Sequence, residues 1–251
     1  VHSPFTIHHS RYSVVRTSRG NLEGRFLIDA TGWRAALAGG PASRYVSRRW
    51  MAFGIETETE RDFEPGLHFY FLPEVRDGYA WAFPSGGRVR FGVLSYLGRS
   101  NLRPALNRFI ERFGAKIGDI HGGFLASGLR SPVVDRIFVT GDAAGQCLPV
   151  TGEGIRTAVL AGFACGDLVQ QALDGALSLE DAAVQYSHFV VREHRRFRAL
   201  QWANVGVLIL PQPLIGLATR LLSRPGLLQF FMRHYLCIFQ RPLLADAVPA
   251  R

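Results

Sequence analysis

The sequence predicts a mixed fold of the α/β (α+β) class, and three stretches predict it. Arg136 to Leu168 runs from a short apolar segment through an acid and several glycines into a long helical pattern. Trp50 to Tyr96 alternates apolar and polar residues in four segments separated by Asp-, Gly- and Pro-containing breaks, as an antiparallel sheet does. From Leu179 onward, apolar residues recur at helical spacing. With 251 residues, 47% of them apolar, the chain is long enough to bury a sizeable core in one large or two small domains.

In chain order, Tyr12 to Arg16 and Arg25 to Ile28 read as short strands flanking a turn at Ser18 to Asn21. The second runs into Asp29-Ala30-Thr31-Gly32-Trp33, which fits a tight turn capped by Asp29 and a ligand-side turn equally. WMAFGIETE, LHFYFLPE, GYAWAFPSG and RVRFGVLSY read as strands. Ser85-Gly86-Gly87-Arg88 is a hairpin connection whose glycines accept the positive φ such turns need. Alternation puts Tyr79, Trp81 and Phe83 on one face. A stripe of that kind fills a sheet core or walls a slot for a flat or polyene ligand. Leu102 to Phe113 is a helix with Arg and Glu outward, and the glycines of HGGFLASGLR, His121 to Arg130, read as a loop or bulge.

Ile137, Phe138 and Val139 form a buried strand that stops at Gly141. Asp142 follows, where a carboxylate can accept hydrogen bonds from a polyol while Ala143, Ala144 and Gly145 leave no side chain in the way. After Pro149, Gly152-Glu153-Gly154 lets the backbone approach a ligand, and a helix begins at Ile155. The unpaired first amides of that helix favour a phosphate or a developing negative charge. Leu179 to Gln201 reads as one helix with a basic face. Val205 to Leu217 is broken by Pro211-Gln212-Pro213 and is too short on either side to span a bilayer. Leu214 to Leu222 and Leu227 to Phe239 are two further apolar helices, punctuated by Arg220, Arg224, Arg233 and Arg241. With Trp202, Phe230, Phe231 and Tyr235 alongside, they suit a membrane interface and a lid packed over a pocket equally.

The net charge is +9, and Lys116 is the single lysine among 29 basic residues. A basic face suits an anionic membrane surface, a diphosphate-bearing substrate or nucleic acid, and no nucleic-acid motif supports the last. Cys147, Cys165 and Cys237 are widely spaced and make no CxxC pair, which indicates neither a disulfide framework nor a zinc site; no metal is expected. Cys147 reads as a small apolar filler in a cytoplasmic protein. The chain opens at Val1 without a signal pattern, and no GxGxxG follows an early strand.

The string GDAAGQCLPVTGEGIRTA closely resembles the second flavin-contacting motif of FAD-dependent oxidoreductases of the para-hydroxybenzoate hydroxylase type, and within them the geranylgeranyl reductase family. The resemblance implies that Asp142 holds the ribityl chain and that Gly141, Ala143, Gly145, Pro149, Gly152, Glu153, Gly154 and Ile155 line the flavin side. It also implies that Ala30, Thr31 and Gly32 pack beside the FAD pyrophosphate, as the family's alanine-threonine-glycine turn does. Tyr79-Ala80-Trp81-Ala82-Phe83-Pro84 resembles that family's YxWxFP motif, which makes Tyr79, Trp81, Phe83 and Pro84 the expected substrate contacts. This chain departs from the family pattern at Arg76, where a proline is frequent, and at Ser85, where a lysine is.

The implied architecture is a partial FAD-binding Rossmann-like domain with an inserted antiparallel sheet. Residues 1–48 form part of the FAD-binding domain, 49–130 the substrate domain, 131–175 the flavin-side motif, and 176–251 C-terminal helices over the pocket or at a membrane interface. The family's dinucleotide fingerprint is expected to precede this sequence. The implied activity is reduction of C=C bonds in a lipophilic isoprenoid-type substrate, with NAD(P)H or a ferredoxin-type donor as reductant. A monooxygenase or halogenase of the same fold, and a non-catalytic remnant or lipid-binding module, are the alternatives. The implied location is cytoplasmic or peripheral to a membrane, and no side chain reads as the proton donor.

Overall fold

A computed structural model of the chain describes residues 6–8, 13–39, 45–75 and 77–240. Three antiparallel strands come first: β1 (Thr6–His8), β2 (Ser13–Thr17) and β3 (Gly20–Gly24). The turn expected at Ser18 to Asn21 is shorter, and a strand not foreseen, Gly20 to Gly24, lies between it and the strand expected at Arg25 to Ile28. Ser13 to Thr17 pairs with Gly20 to Gly24 across a two-residue turn, which Gly20 permits at φ 121° and Thr17 Oγ1 ties by donating to the Gly20 carbonyl at 2.8 Å. The chain then bends at Arg25-Phe26, and β4 (Leu27–Asp29) joins a different sheet.

A five-stranded antiparallel sheet follows in sequence. Its strands are β5 (Met51–Glu60), β6 (His68–Tyr70), β7 (Gly78–Ser85), β8 (Arg88–Ser95) and β9 (Ile120–Ala126), in the order β6-β7-β8-β5-β9. Gly86 and Gly87 close the β7–β8 hairpin with φ of 56° and 80°, the double positive φ of a type I′ turn. One face packs on helix α1 (Arg103–Glu111), with Ala80, Ala82, Val89, Phe91 and Val93 against Leu106, Phe109 and Ile110. The glycines read as a loop, Gly122 and Gly123, lie instead inside β9. A side chain at Gly122 would stand 2.6 Å from Ile55 Cγ2 and 2.7 Å from the Gly54 carbonyl, so glycine is what lets this strand close on β5.

The chain returns through β10 (Val133–Val134) and β11 (Ile137–Val139), giving a small sheet ordered β10-β11-β4. β11 and β4 run parallel, with Phe138 opposite Ile28 and Val139 opposite Asp29. A parallel pair needs a long crossover, and here the crossover contains the five-stranded sheet.

After β11 come α2 (Ile155–Leu173), α3 (Leu179–Val191), α4 (His194–Ile209), α5 (Gln212–Leu222) and α6 (Pro225–Leu236). The single helix expected over Leu179 to Gln201 is two. The ladder tightens where the Glu193 amide donates to the Val190 carbonyl, and the Glu193 side chain turns inward to ion-pair with Arg192 at 3.3 Å and Arg196 at 2.8 Å. Further on, Leu210 and Arg224 are extended because each precedes a proline, which ends α4 and separates α5 from α6. The largest core joins Phe138 of β11 to Cys165, Tyr186, Phe197 and Phe239.

Candidate functional site

The parallel pair brings two distant turns together. The Thr140 amide, just past β11, donates to the Asp29 carbonyl at the end of β4 at 3.0 Å. Ligands of open α/β sheets bind outside such carboxyl ends. The fully buried Asp29 carboxylate builds the first turn: Oδ1 accepts from the Thr31 amide at 3.1 Å and hydroxyl at 2.6 Å, and Oδ2 from the Leu37 and Ala38 amides at 3.0 and 2.9 Å. Thr31 Oγ1 in turn accepts from the Ala36 amide at 2.7 Å. The Thr31 hydroxyl is therefore engaged inside the turn, and Gly32 bends the chain at φ 78°. With Ala30 exposed, the turn offers its outer surface chiefly as backbone.

The second turn is a 3-10 turn, Gly141–Ala144, between glycines of φ 65° and 68°. Gly145 has no substitute, since a Cβ there would lie 1.9 Å from the Gly128 carbonyl. Ala143 is fully buried and packs among Ala35, Ile137 and Val139. Asp142 is only half-buried, and no described residue donates a hydrogen bond to its carboxylate. Burial raises its pKa above the usual aspartate range, and the charge of Arg130 partly offsets the rise. Arg130 also ties the turns to each other, because its Nη1 donates to the Trp33 carbonyl at 2.9 Å and the Ala143 carbonyl at 3.0 Å.

The loop from Pro149 to Gly154 is held from three sides by buried phenols. Tyr96 donates to the Val150 carbonyl and Tyr79 to the Thr151 carbonyl, each at 2.5 Å, while Tyr235 Oη lies 2.5 Å from Thr151 Oγ1. Burial pushes all three phenol pKa values up, which keeps them neutral. Val150 and Gly152 both take positive φ, 72° and 68°. Pro149 is buried beneath the loop, and Glu153 faces Arg156 in a two-point ion pair at 2.7 and 3.0 Å. Gly154 is the N-cap of α2, and a Cβ on it would approach Asp142 Oδ1 at 3.4 Å. Asp142 thus sits beside the first amides of α2, which have no intrahelical partners.

A cavity of about 490 Å³ lies between this loop and the sheet face turned away from α1. Tyr79, Trp81, Phe83 and Leu94 wall it on one side, Thr151, Gly152 and Ile155 on another, and Glu56, Arg90 and His121 make a polar end. One register row crosses the sheet as Phe69, Trp81, Gly92, Glu56 and His121. The Trp81 indole lies flat over Gly92, where a Cβ would come 2.0 Å from Cζ2. Its ring stacks on Phe83 with centroids 6.0 Å apart, and its buried Nε1 has no hydrogen-bond partner among the described residues. The aromatic stripe therefore lines the cavity, and the smaller residues between fill the core against α1. Pro84 is one register step on, opposite Val89, and does not line this cavity. Ile155 is 85% exposed at the cavity's edge.

No family model matches the chain. A digeranylgeranylglycerophospholipid reductase of Methanosphaerula palustris is 40% identical over 109 residues, which cover 39% of this chain and 27% of that protein. This chain is a distant, partial homologue of digeranylgeranylglycerophospholipid reductases. In structure, the chain matches a geranylgeranyl bacteriochlorophyll reductase-like protein of Thermoplasma acidophilum with TM-score 0.72 and 20% identity, over 82% of this chain and 57% of the other. It matches Klebsiella pneumoniae HpxO complexed with FAD and uric acid with TM-score 0.51 and 18% identity, over 88% of this chain and 66% of the other. The likeness is one of fold. The sequence match spans about a quarter of the Methanosphaerula reductase.

Of the predicted site residues, Asp142, Gly152, Gly154 and Ile155 meet around the α2 start, with Tyr79, Trp81 and Phe83 across the cavity. Ala143 and Pro149 lie beneath the turns. Sequence reasoning missed Arg130 and Tyr96 and named Tyr235 only for a membrane interface or a lid over a pocket; the partners of all three are main-chain or hydroxyl groups far along the chain. It also missed the polar cavity end, which only the cross-strand register of Glu56, Arg90 and His121 reveals.

Proposed function

We propose that this chain is the flavin-facing part of an FAD-dependent oxidoreductase that reduces C=C bonds of a lipophilic isoprenoid-type substrate. One observation carries the reading: the half-buried Asp142 carboxylate, to which no described residue donates a hydrogen bond, stands beside the α2 start and next to an aromatic-walled cavity. The groups present fit a flavin. Asp142 accepts from ribityl hydroxyls, and the glycine backbone at 152–154 allows a flat ring to approach where a Cβ would intrude. The amides at the start of α2 favour negative charge on the ring, and Ile155 gains an apolar surface to cover it. Ala30 to Gly32 presents backbone toward the pyrophosphate.

Bound FAD would supply hydride from its reduced ring to one carbon of the substrate double bond, and a proton from water would complete the other. The chain's own part is position. Tyr79, Trp81 and Phe83 hold the apolar chain against the ring site, and Glu56, Arg90 and His121 receive the polar end of an amphiphile. Tyr79 is not the proton source in this reading, since its hydroxyl is committed to Thr151 and burial raises its pKa. The described parts of 1–48 and of 131–175 form the cofactor side, those of 49–130 the substrate side, and those of 176–251 the helices over the pocket or at a membrane interface. NAD(P)H or a ferredoxin-type protein is the reductant.

Titration of FAD into the protein, followed by quenching of flavin fluorescence, tests the reading. Saturable binding that Asp142→Ala weakens roughly 10- to 150-fold is expected, as the loss of one hydrogen bond to a charged acceptor, about 1.5–3 kcal/mol, implies. Binding indifferent to Asp142, or no binding to a protein extended with a dinucleotide-binding segment, would refute it.

A further inference from the structure

Helices α5 and α6 form a hairpin that the body of the protein hardly covers. Of its apolar side chains, Ile215 and Tyr235 are buried. Leu214, Leu217 and Leu221, at three- and four-residue spacing along α5, are exposed, as are Leu227, Leu228 and Phe230 on α6. Leu217 is 54% and Phe230 63% exposed. Soluble monomers rarely expose an apolar patch of this extent, and one rimmed by polar residues marks an interaction surface.

The charge around the patch specifies what meets it. After Glu193 the next acid in the sequence is Asp246, while Arg220, Arg224 and Arg233 all lie exposed on or beside the hairpin. With no acid in the segment, none of the three is neutralised by its own helices. At 11 and 12 residues the helices reach roughly 17–18 Å, short of a hydrocarbon core of about 30 Å. Among the described residues, no helix is long and apolar enough to cross a membrane. The hairpin can therefore lie in an interface but not span it.

We propose that the α5–α6 hairpin docks on an anionic lipid surface, its leucines and Phe230 entering the headgroup boundary while Arg220, Arg224 and Arg233 meet lipid phosphates. The buried Tyr235 of the same helix contacts Thr151 of the cavity wall, so α6 links the hairpin to the cavity. The inference rests on the hairpin alone and stands whether or not the chain binds flavin.

Flotation with vesicles of phosphatidylcholine alone and of equal parts phosphatidylcholine and phosphatidylglycerol tests it. Binding to the mixed vesicles is expected to fall on the order of 100-fold in a variant carrying Arg220→Gln, Arg224→Gln and Arg233→Gln, at about fivefold per arginine. A Leu217→Asp, Phe230→Asp variant should lose it as well, with circular dichroism showing unchanged helix content. Equal binding to both vesicle types overturns the proposal, as does anionic binding that survives both variants. If no vesicle binding occurs and the protein self-associates until Phe230→Asp makes it monomeric, the patch seats a second copy instead, and the proposal fails.

Discussion

Arg130 Nη1 donates at 2.9 Å to the main-chain carbonyl of Trp33, 97 residues earlier in the chain. The same nitrogen reaches the Ala143 carbonyl at 3.0 Å. One guanidinium therefore sets the spacing of two turns that the parallel pairing of β4 and β11 has already aligned. A ligand that bridges these turns meets a gap fixed in advance, which lowers the ordering cost of binding it.

Removing that bridge makes a direct test. Arg130→Met keeps much of the side-chain volume but leaves the Trp33 and Ala143 carbonyls without their donor. Hydrogen bonds to charged groups contribute about 1.5–3 kcal/mol, so the urea midpoint should fall accordingly. Amide exchange within 29–38 should accelerate as the first turn loosens. An unchanged midpoint with unchanged exchange would mean that β4 and β11 hold the turns unaided.

Gly92 offers a test of the cavity wall. Gly92→Ala puts a methyl where the Trp81 indole now lies, 2.0 Å from Cζ2, and the ring must leave the sheet. Overpacking of this kind costs about 1–3 kcal/mol. Near-ultraviolet circular dichroism should change with it as Trp81 unstacks from Phe83. Gly123→Ala is the control, since nothing lies within 4 Å of a Cβ there, and it should be close to neutral. Equal effects from the two would show that strand propensity, not the indole, sets the requirement for glycine at 92.

Alternation made β5, β7 and β8 legible from the sequence, because each has one face on α1 and the other on the cavity. β9 was not legible: two glycines in seven residues look like a loop until Ile55 is seen closing on Gly122. The break between α3 and α4 was hidden for a different reason: Arg192 and Arg196 stand beside Glu193 in the sequence and read as a solvated basic face, whereas Glu193 between them is buried. In the site, the motif around Asp142 could be found because its glycines and acid are consecutive. Tyr96 and Tyr235 could not, because each works through a single hydroxyl on a loop 54 or 84 residues away. Thr31 and Glu153 are polar residues inside a ligand-like string whose side chains are engaged by the Asp29 turn and by Arg156, which the string itself does not reveal.

The environment of Asp142 ties stability to pH. Burial raises its folded pKa, so the folded state disfavours its charged form relative to the unfolded chain. Its stabilising contribution is therefore complete below the unfolded value, about 3.9 for aspartate, and is lost as pH rises through the higher folded value. Asp142→Asn removes that loss and should raise the thermal midpoint of the ligand-free protein at neutral pH, with the gain shrinking as the pH is lowered toward 4. In the proposed function the same substitution weakens FAD binding, since an amide is a poorer acceptor for ribityl hydroxyls than a carboxylate. Melting curves of both proteins across this pH range, with and without FAD, separate the two effects. A variant less stable at neutral pH without ligand would mean that the α2 amides already compensate the carboxylate fully, and that burial is not the dominant influence on it.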